Sequence, residues 1–349
     1  MLTTSRPHVV DGSQALTAIG RTGIVISRLS LGTGFLGGLH EPVAEERFAA
    51  TIAAALGHGI NYLDTAPIYG LGVSEERLGD ALAARPRDSY VLSTKIGRLL
   101  RGRQQSLPGA ELDESYDGAW HGVPPRTIVV DFGYDATLRS LEESLQRLRL
   151  DRLDIVYIHD TFEEHHYRAA MDGAYRALDR LRSEGTIRAV GVGIGRTSVL
   201  LRFAQDGDFD CFLVAGRYTL LDQEGSSELL AVCRERAISI VLGGVFNSGI
   251  LADPWRDDAS FDYQPAAAAR LEKARRLDHI CRAHGIPLTA AALQFPLAEP
   301  AVATILMGAS RPEEVIDNIR LAQMEIPPGL WADLRAEKLL PAEVATPPP

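Results

Sequence analysis

The chain carries the stretch Asn61-Tyr-Leu-Asp64-Thr-Ala-Pro-Ile-Tyr69-Gly70, in which a short apolar run ends in polar side chains. The stretch Tyr90-Val-Leu-Ser-Thr-Lys95 has the same character. A short apolar run without alternation predicts a β-strand that is buried on both faces, as in a parallel sheet. Asp64 and Lys95 then stand at the ends of neighbouring strands, and Tyr69 lies in the loop after the first of them.

The same pattern recurs along most of the chain, where short β-type runs alternate with amphipathic helical stretches. The runs predict eight strands, at Leu29–Thr33, Asn61–Asp64, Tyr90–Lys95, Asp154–His159, Ile187–Gly193, Asp210–Ala215, Ile238–Gly243 and Ala303–Met307. The helical stretches predict eight helices, around Val43–Gly57, Ser74–Ala84, Tyr134–Leu150, Tyr167–Glu184, Thr197–Asp206, Ser226–Arg236, Pro265–His284 and Pro312–Met324. Eight strand–helix pairs without a break in composition or an obvious edge strand favour a closed (β/α)8 TIM barrel over an open doubly wound sheet.

Two long insertions interrupt this alternation. Gly97–Asp131 follows the third strand and Asn247–Gln264 follows the seventh. Loops of this length usually carry function, and both leave the barrel at the face where barrel enzymes place their active sites. We therefore predict a single domain over residues 1–349, with a core at about 24–324 and peripheral terminal segments.

Composition limits the partners that the protein can have. The chain has 349 residues, 46% of them hydrophobic, and a formal net charge of −10. An acidic surface argues against nucleic acid or an anionic membrane as the main partner. No apolar run approaches the roughly 20 residues of a membrane span, and no signal-peptide pattern opens the chain. Together with three scattered cysteines, which we interpret as buried thiols, this predicts a soluble cytoplasmic protein.

Four polar residues are expected to meet at one rim of the barrel. Asp64, Lys95 and His159 lie at the ends of strands two, three and four, and Tyr69 lies in the loop after strand two. Only three of the 36 basic residues are lysines. A lysine at this strand end therefore indicates a need for a titratable ammonium, and an ammonium beside a phenol lowers the phenol pKa from its reference of roughly 10.

These four residues predict a proton-transfer site. Tyr69 would exchange a proton with a carbonyl or alcohol oxygen, and Lys95 would stabilise its phenolate form. Asp64 would pair with Lys95 and hold it in place. His159 would donate a second hydrogen bond to the substrate oxygen and help to orient it.

A glycine-rich segment follows the first predicted strand. Gly32-Thr33-Gly34-Phe35-Leu-Gly37 matches the GxGxxG pattern of dinucleotide-binding proteins, but no helix opens at its end. We interpret it as a barrel loop whose backbone approaches a ligand closely.

A metal-dependent barrel hydrolase or isomerase is an alternative, because His159, Asp160, His165 and His166 lie close together in the sequence. His165 and His166 are predicted to be solvated at a helix start, and no further residue suggests itself as a third ligand. We predict no metal site.

The motifs together resemble the aldo-keto reductases. The resemblance extends to Ile187-Arg-Ala-Val-Gly-Val192 and Gly308-Ala-Ser-Arg-Pro-Glu-Glu-Val-Ile-Asp-Asn318, and covers roughly Leu29 to Leu321. Ala215–Gln223 and Gly243–Leu251 are most similar to the branch of sugar 1-dehydrogenases, which includes D-threo-aldose (L-fucose) dehydrogenases and has pyridoxal 4-dehydrogenases as relatives. The resemblance implies oxidation of an anomeric C1 hydroxyl to a lactone, with Tyr69 as base. A non-catalytic, cofactor-binding regulatory member of the family is an alternative.

The resemblance also implies a nicotinamide cofactor. The residues expected to contact it are Gly32, Thr33, Gly34, Asp64, Gly193, Ser248, Gly249, Leu251, Gly308, Ser310, Glu314 and Asn318. The chain departs from the family at the nicotinamide end, where Gly193, Ile194, Ala215 and Gly243 replace side chains that many members use there. Near the adenosine phosphate, the Glu314 carboxylate would repel a 2′-phosphate, which favours NAD over NADP.

Three residues are candidate substrate contacts. Phe35 follows the first strand, and Trp120 and His121 lie in the long insertion after the third strand. Trp120 and His121 are placed where they could form a lid over the substrate.

Overall fold

The computed structural model describes residues 15–347, except His40, Gln104, Ser106 and Leu107. Within these residues the strands are β1 (Leu16–Ile19), β2 (Ile24–Ser27), β3 (Leu29–Gly32), β4 (Tyr62–Asp64), β5 (Val91–Ile96), β6 (Arg98–Gly102), β7 (Glu111–Leu112), β8 (Arg126–Val130), β9 (Ile155–His159), β10 (Ala189–Ile194), β11 (Cys211–Ala215), β12 (Ser239–Gly243), β13 (Ser260–Phe261), β14 (Gln264–Pro265) and β15 (Val302–Gly308).

The α-helices are α1 (Glu45–Gly57), α2 (Val73–Leu82), α3 (Tyr134–Leu148), α4 (Glu164–Ala169), α5 (Arg176–Ser183), α6 (Thr197–Asp206), α7 (Ser227–Arg236), α8 (Ala268–Ala283), α9 (Leu288–Gln294), α10 (Pro312–Ala322) and α11 (Pro328–Ala336). A π-helical turn, Ala170–Tyr175, joins α4 to α5. The predicted helix at Tyr167–Glu184 is therefore a composite of three segments.

Eight parallel strands close into a barrel, in the order β3, β4, β5, β9, β10, β11, β12 and β15, with β15 paired to β3. Every predicted strand is present, and a helix follows each one before the next barrel strand or, after β15, near the end of the chain. The predicted (β/α)8 barrel is confirmed, and the open sheet was wrong. Closure satisfies the backbone groups that an open sheet would leave at its two edges.

The prediction missed a hairpin beneath the barrel. Strands β1 and β2 pair antiparallel, and Ile19, Ile24 and Ile26 are fully buried. They pack with Tyr62 and Tyr157, which lie inside the barrel near the strand starts. The hairpin therefore covers the amino-terminal end of the barrel interior, opposite the carboxyl-terminal rim.

The folded core also extends beyond residue 324, where the prediction ended it. Helix α11 buries Leu330, Trp331 and Leu334 against a cluster that includes Leu277 of α8 and Phe295. The residues just after Met324 are therefore part of the packed structure rather than peripheral. This segment was missed because it lies beyond the last barrel repeat and is buried by contacts with distant segments.

The insertion after β5 is an ordered antiparallel sheet in the order β6, β8, β7. The insertion after β12 contains the short β13–β14 pair. Both had been predicted only as loops.

The three cysteines, Cys211, Cys233 and Cys281, are free and buried, as predicted. Among the described helices, none combines the length and the apolar character needed to cross a bilayer.

Candidate active site

The carboxyl ends of three neighbouring strands position three of the four predicted residues. Asp64 ends β4, Lys95 lies next to the end of β5, and His159 ends β9. These strands are adjacent in the barrel, so their ends meet on one rim. Tyr69 begins a 3-10 turn, Tyr69–Gly72, shortly after β4.

Glycines hold the Tyr69 turn against the loop after β3. A Cβ atom on Gly37 would lie 2.8 Å from the Gly70 nitrogen, and a Cβ atom on Gly70 would lie 2.4 Å from the Gly37 oxygen. Gly70 also has a φ of +61°, which favours glycine. The close backbone approach predicted for the Gly32–Gly37 loop is therefore made to the Tyr69 turn, and its consequence is a fixed position for Tyr69.

A buried ion pair lies beneath Tyr69. Lys95 Nζ donates to Asp64 Oδ2 at 2.6 Å and to the Thr65 carbonyl at 2.9 Å, and Ser93 Oγ donates to Asp64 Oδ1 at 2.6 Å. The side chains of Lys95 and Asp64 are only 1% and 0% exposed. Since each buried charge would be costly without the other, the pair is fixed in place. The pairing that the sequence predicted is present.

The effect of this pair on Tyr69 differs from the prediction. Lys95 Nζ lies 4.6 Å from the centroid of the Tyr69 ring, on its face, and no hydrogen bond joins it to the hydroxyl. Burial raises the pKa of Tyr69 well above 10, and the Asp64 and Asp160 carboxylates raise it further. The predicted lowering was wrong because burial disfavours the phenolate, and Asp64, which balances the charge of Lys95, disfavours it further. The hydroxyl is therefore protonated at neutral pH and can donate a proton.

His159 faces Tyr69 across the rim. The two rings lie at 87° with their centroids 6.4 Å apart. Burial lowers the pKa of His159 well below 6.5, and the cations of Lys95 and Arg98 lower it further. A neutral imidazole carries one N–H donor, so His159 can donate a hydrogen bond without supplying a proton to solution. Tyr69 and His159 thus present two neutral donors to one region of the rim.

Asp160, which the sequence suggested only as a candidate metal ligand, belongs to the rim beside His159. Asp160 Oδ2 lies 3.4 Å from His159 Nε2 and 3.3 Å from the Tyr116 hydroxyl. Arg98 donates to the backbone carbonyls of both His159 and Asp160, at 2.6 and 3.3 Å. Burial raises the pKa of Asp160 from 3.8 to about 6. The available signal was its position, directly after His159 at a strand end.

The structure separates the three candidate substrate contacts. Trp120 is 9% exposed, its ring centroid is 6.0 Å from that of Tyr69, and it stacks on Tyr116. The exposed His121 is tied by its backbone N–H to the Gly38 carbonyl. Phe35 packs over Gly308, since a Cβ atom there would lie 2.4 Å from its ring. Of the three candidates, Trp120 is therefore the one that lies beside Tyr69, the predicted proton donor.

Several residues predicted to contact a cofactor line the same rim. Gly308 pairs with Gly32 at the ends of β15 and β3. A Cβ atom on Gly193 would lie 3.9 Å from Lys95 Cε, so Gly193 forms the wall next to the ion pair. Gly34 packs against the Tyr69 ring at 3.7 Å by the same measure. Gly249 is exposed with a φ of +98°. These glycines leave room for a ligand beside the four predicted site residues, Asp64, Tyr69, Lys95 and His159.

The start of α10 supplies polar groups at a distance from the tetrad. Ser310 N–H donates to Glu314 Oε2 at 2.8 Å, and Arg311 Nε lies 3.0 Å from Glu314 Oε1. Asn318, one turn further on, is 8% exposed, and its side-chain amide makes no hydrogen bond to any residue that the structure describes. A helix N-terminus with a cation and an unpaired amide fits the phosphate and base of an adenosine group.

Three predicted cofactor contacts need correction, and the first of them, Asp64, is fully buried in the ion pair with Lys95. Thr33 is fully buried, donates to the Asp64 carbonyl at 3.0 Å and accepts from Ser74 Oγ at 2.7 Å. Leu251 is fully buried in the hydrophobic cluster that includes Leu277 and Phe295. None of these three side chains has a surface for a ligand. Ser248 remains at the rim, but its Oγ accepts a hydrogen bond from Tyr263 N–H at 3.0 Å.

The structure supplies the third partner that the sequence lacked for the histidine pair. Glu111 of β7 contacts His166 Nε2 at 2.8 Å and His165 Nε2 at 3.2 Å. His166 is 8% exposed, so its predicted solvation was wrong. Although burial acts to raise it, hydrogen bonds from His166 and His165 lower the pKa of Glu111. These contacts tie the insertion sheet to α4.

Comparison with known proteins identifies the class. The profile of the aldo/keto reductase family matches residues 28–336. The chain is 39% identical over 333 residues to pyridoxal 4-dehydrogenase from Microbacterium luteolum, covering 93% of this chain and 97% of that protein. It is 40% identical over 326 residues to D-threo-aldose 1-dehydrogenase from a Pseudomonas species, covering 93% and 98%.

A solved aldo-keto reductase from Bacillus halodurans, in its holo form, superposes with a TM-score of 0.71, covering 94% of this chain and 97% of that one at 24% identity. That likeness supports the fold. The chain belongs to the aldo-keto reductase family. It is an oxidoreductase that uses a nicotinamide cofactor on aldehyde or alcohol substrates.

Proposed function

We propose that the protein transfers a hydride between a nicotinamide cofactor and C1 of an aldose or a related aldehyde. The observation that carries this proposal is the pair of neutral donors, Tyr69 and His159, which face one region of the rim beside the Lys95–Asp64 ion pair. The two relatives at about 40% identity, one named for an aldose and one for pyridoxal, support an aldehyde or its cyclic hemiacetal as the reacting group.

The protein's own residues handle the proton. When bound, the cofactor supplies or accepts the hydride. In reduction, Tyr69 donates its proton to the carbonyl oxygen as negative charge develops there, and His159 donates a hydrogen bond to the same oxygen. In oxidation, the Tyr69 oxygen must take the proton of the C1 hydroxyl. The phenolate that this direction requires lies beside the Lys95 ammonium, whose charge Asp64 largely balances.

The adenosine end of the cofactor is proposed to lie at the start of α10. Asn318 and the Ser310–Glu314 segment would bind it, and the glycines beside Lys95 would admit the nicotinamide end. We propose that NAD is preferred over NADP, because Glu314 adds a carboxylate where a 2′-phosphate would lie. Arg311, paired with Glu314, moderates that preference.

A spectrophotometric scan tests the proposal. Formation of NADH from NAD and of NADPH from NADP is followed by absorbance with L-fucose, D-arabinose, L-galactose and pyridoxal. Turnover with at least one sugar is expected. If pyridoxal were the only substrate turned over, the proposed sugar substrate would be replaced by pyridoxal. Tight cofactor binding without turnover on any substrate would instead favour a regulatory member of the family.

We also propose a reducing, cytoplasmic location. The support is that Cys211, Cys233 and Cys281 are all buried free thiols. A fusion to a fluorescent protein, followed by fractionation, tests this location, and recovery outside the cytoplasm would contradict it.

A further inference from the structure

Asp160 has an acceptor without a partner at the rim. Its Oδ2 atom lies 3.3 Å from the Tyr116 hydroxyl and 3.4 Å from His159 Nε2, both long for a charge-assisted hydrogen bond. Its Oδ1 atom makes no hydrogen bond to any of the residues described. A carboxylate has about four acceptor sites, so the contacts present leave most of them unused.

The backbone holds Asp160 in a conformation that is costly for most residues. Its φ is +49°, in the left-handed region. Its N–H donates to the Gly193 carbonyl at 2.9 Å, and Arg98 anchors its own carbonyl and that of His159. The carboxylate is 15% exposed. A strained and largely buried carboxylate with free acceptors is typical of a functional position.

Resting on the proposed function, we propose that Asp160 binds the hydroxyl group on the carbon next to the reacting carbon. The substrate class that this selects is the 2-hydroxy aldehydes, of which aldoses are the cyclic and polyhydroxylated members. The geometry supports this reading, because Asp160 follows His159 directly and its carboxylate lies beside the imidazole, with Oδ2 3.4 Å from His159 Nε2 and Oδ1 left as the acceptor without a partner among the described residues. His159 donates a hydrogen bond to the reacting oxygen, and Asp160 accepts a hydrogen bond from the hydroxyl group on the adjacent carbon.

Two elements are placed to support this contact. Tyr116, between β7 and β8 of the insertion, reaches Asp160 Oδ2, and Trp120 stacks on Tyr116 and approaches Tyr69. Arg98 of β6 pairs with Asp113 at 2.7 Å within the insertion, and its hydrogen bonds to the His159 and Asp160 carbonyls tie the insertion to the barrel. The insertion therefore fixes both the carboxylate and the aromatic wall beside it.

The test compares glyceraldehyde with propanal, which have the same carbon chain and differ in the hydroxyl groups. The wild-type enzyme is expected to have a higher kcat/KM for glyceraldehyde. Asp160→Asn keeps the size of the side chain, and asparagine tolerates a positive φ. It should lower the glyceraldehyde-to-propanal ratio by about tenfold or more, because an acceptor for a hydroxyl is replaced by a weaker one.

Asp117→Asn is the matched control, since Asp117 is exposed in the same insertion, and it should leave the ratio unchanged. A melting curve at pH 8 should show no loss of stability in Asp160→Asn, because burial disfavours the ionised carboxylate. An equal fall in kcat/KM for both aldehydes would overturn the proposal and make Asp160 a positioning residue for His159. Failure of the wild-type enzyme to reduce either aldehyde would count against the proposed function itself.

Discussion

Lys95 Nζ lies 2.6 Å from Asp64 Oδ2, with both side chains almost fully excluded from solvent, and the same ammonium covers the face of the Tyr69 ring. The Lys95–Asp64 ion pair therefore affects both the stability of the fold and the protonation of Tyr69. Asp64 stabilises the buried cation, and in doing so it removes much of the influence that the cation would have on the phenol. The pKa of Tyr69 is raised rather than lowered, which makes the free enzyme a proton donor.

Replacing Tyr69 by Phe removes the proton donor and little else. Because general acid–base catalysis contributes about 100- to 10,000-fold, kcat should fall by at least about 100-fold. Cofactor affinity, measured by fluorescence titration, should stay within about twofold. Tyr175→Phe is the control, since the Tyr175 hydroxyl accepts from the Asp208 N–H near the start of β11, at the opposite end of the barrel from the rim. Near-normal turnover by Tyr69→Phe would refute the assigned role.

The two directions of the reaction should differ in their pH dependence. Because the pKa of Tyr69 is raised, its acid form persists through neutral pH and its base form is scarce there. The rate of oxidation should therefore rise with pH, up to about tenfold for each pH unit, while the rate of reduction stays level until the medium is strongly alkaline. Rates are measured in both directions from pH 6 to 10. A rate of oxidation that is level over this range would contradict the raised pKa.

Breaking the buried ion pair should destabilise the fold. Asp64→Asn leaves the Lys95 ammonium buried beside a neutral partner, which is expected to cost about 3–5 kcal/mol of unfolding free energy. Urea denaturation measures it. Asp262→Asn serves as the control, because its partner Arg217 and Asp262 form a solvent-accessible pair and the loss should stay below about 1 kcal/mol. If both variants lost the same unfolding free energy, burial of the Lys95–Asp64 pair would not make that pair more important for stability.

The preference between cofactors should respond to two neighbouring charges in opposite directions. Glu314→Gln should raise kcat/KM with NADP relative to NAD by about two- to fivefold, the range of one surface charge. Arg311→Gln should lower the same ratio. Measurements at low and high salt separate electrostatic effects from packing, since salt screens the former. An unchanged ratio in both variants would place the 2′ position of the cofactor elsewhere.

Much of the fold could be predicted from local pattern. A strand buried on both faces has to be apolar throughout, so the segments around Leu63 and Val156 identify themselves without any knowledge of their neighbours. The β1–β2 hairpin and α11 could not be found in this way, because Ile19 and Trp331 are buried by contacts with distant segments. Only the closed barrel creates the surfaces on which these elements pack.

The candidate site likewise contains residues that the sequence could predict and contacts that it could not. Asp64, Lys95 and His159 could be brought together from sequence, since parallel strands carry their carboxyl ends to one rim. The contacts of Glu111 with His165 and His166, and of Asp160 with Tyr116, join segments far apart in the chain. No local pattern encodes such distances.

By itself, the sequence determined the barrel, the four residues at its rim and the family, because strand burial and strand order are properties of local composition and connectivity. The tertiary structure alone decided the charge balance at Tyr69 and the free acceptor on Asp160. The physical reason is that a pKa and a hydrogen bond depend on burial and on separations of a few ångströms, which arise only when distant segments pack together.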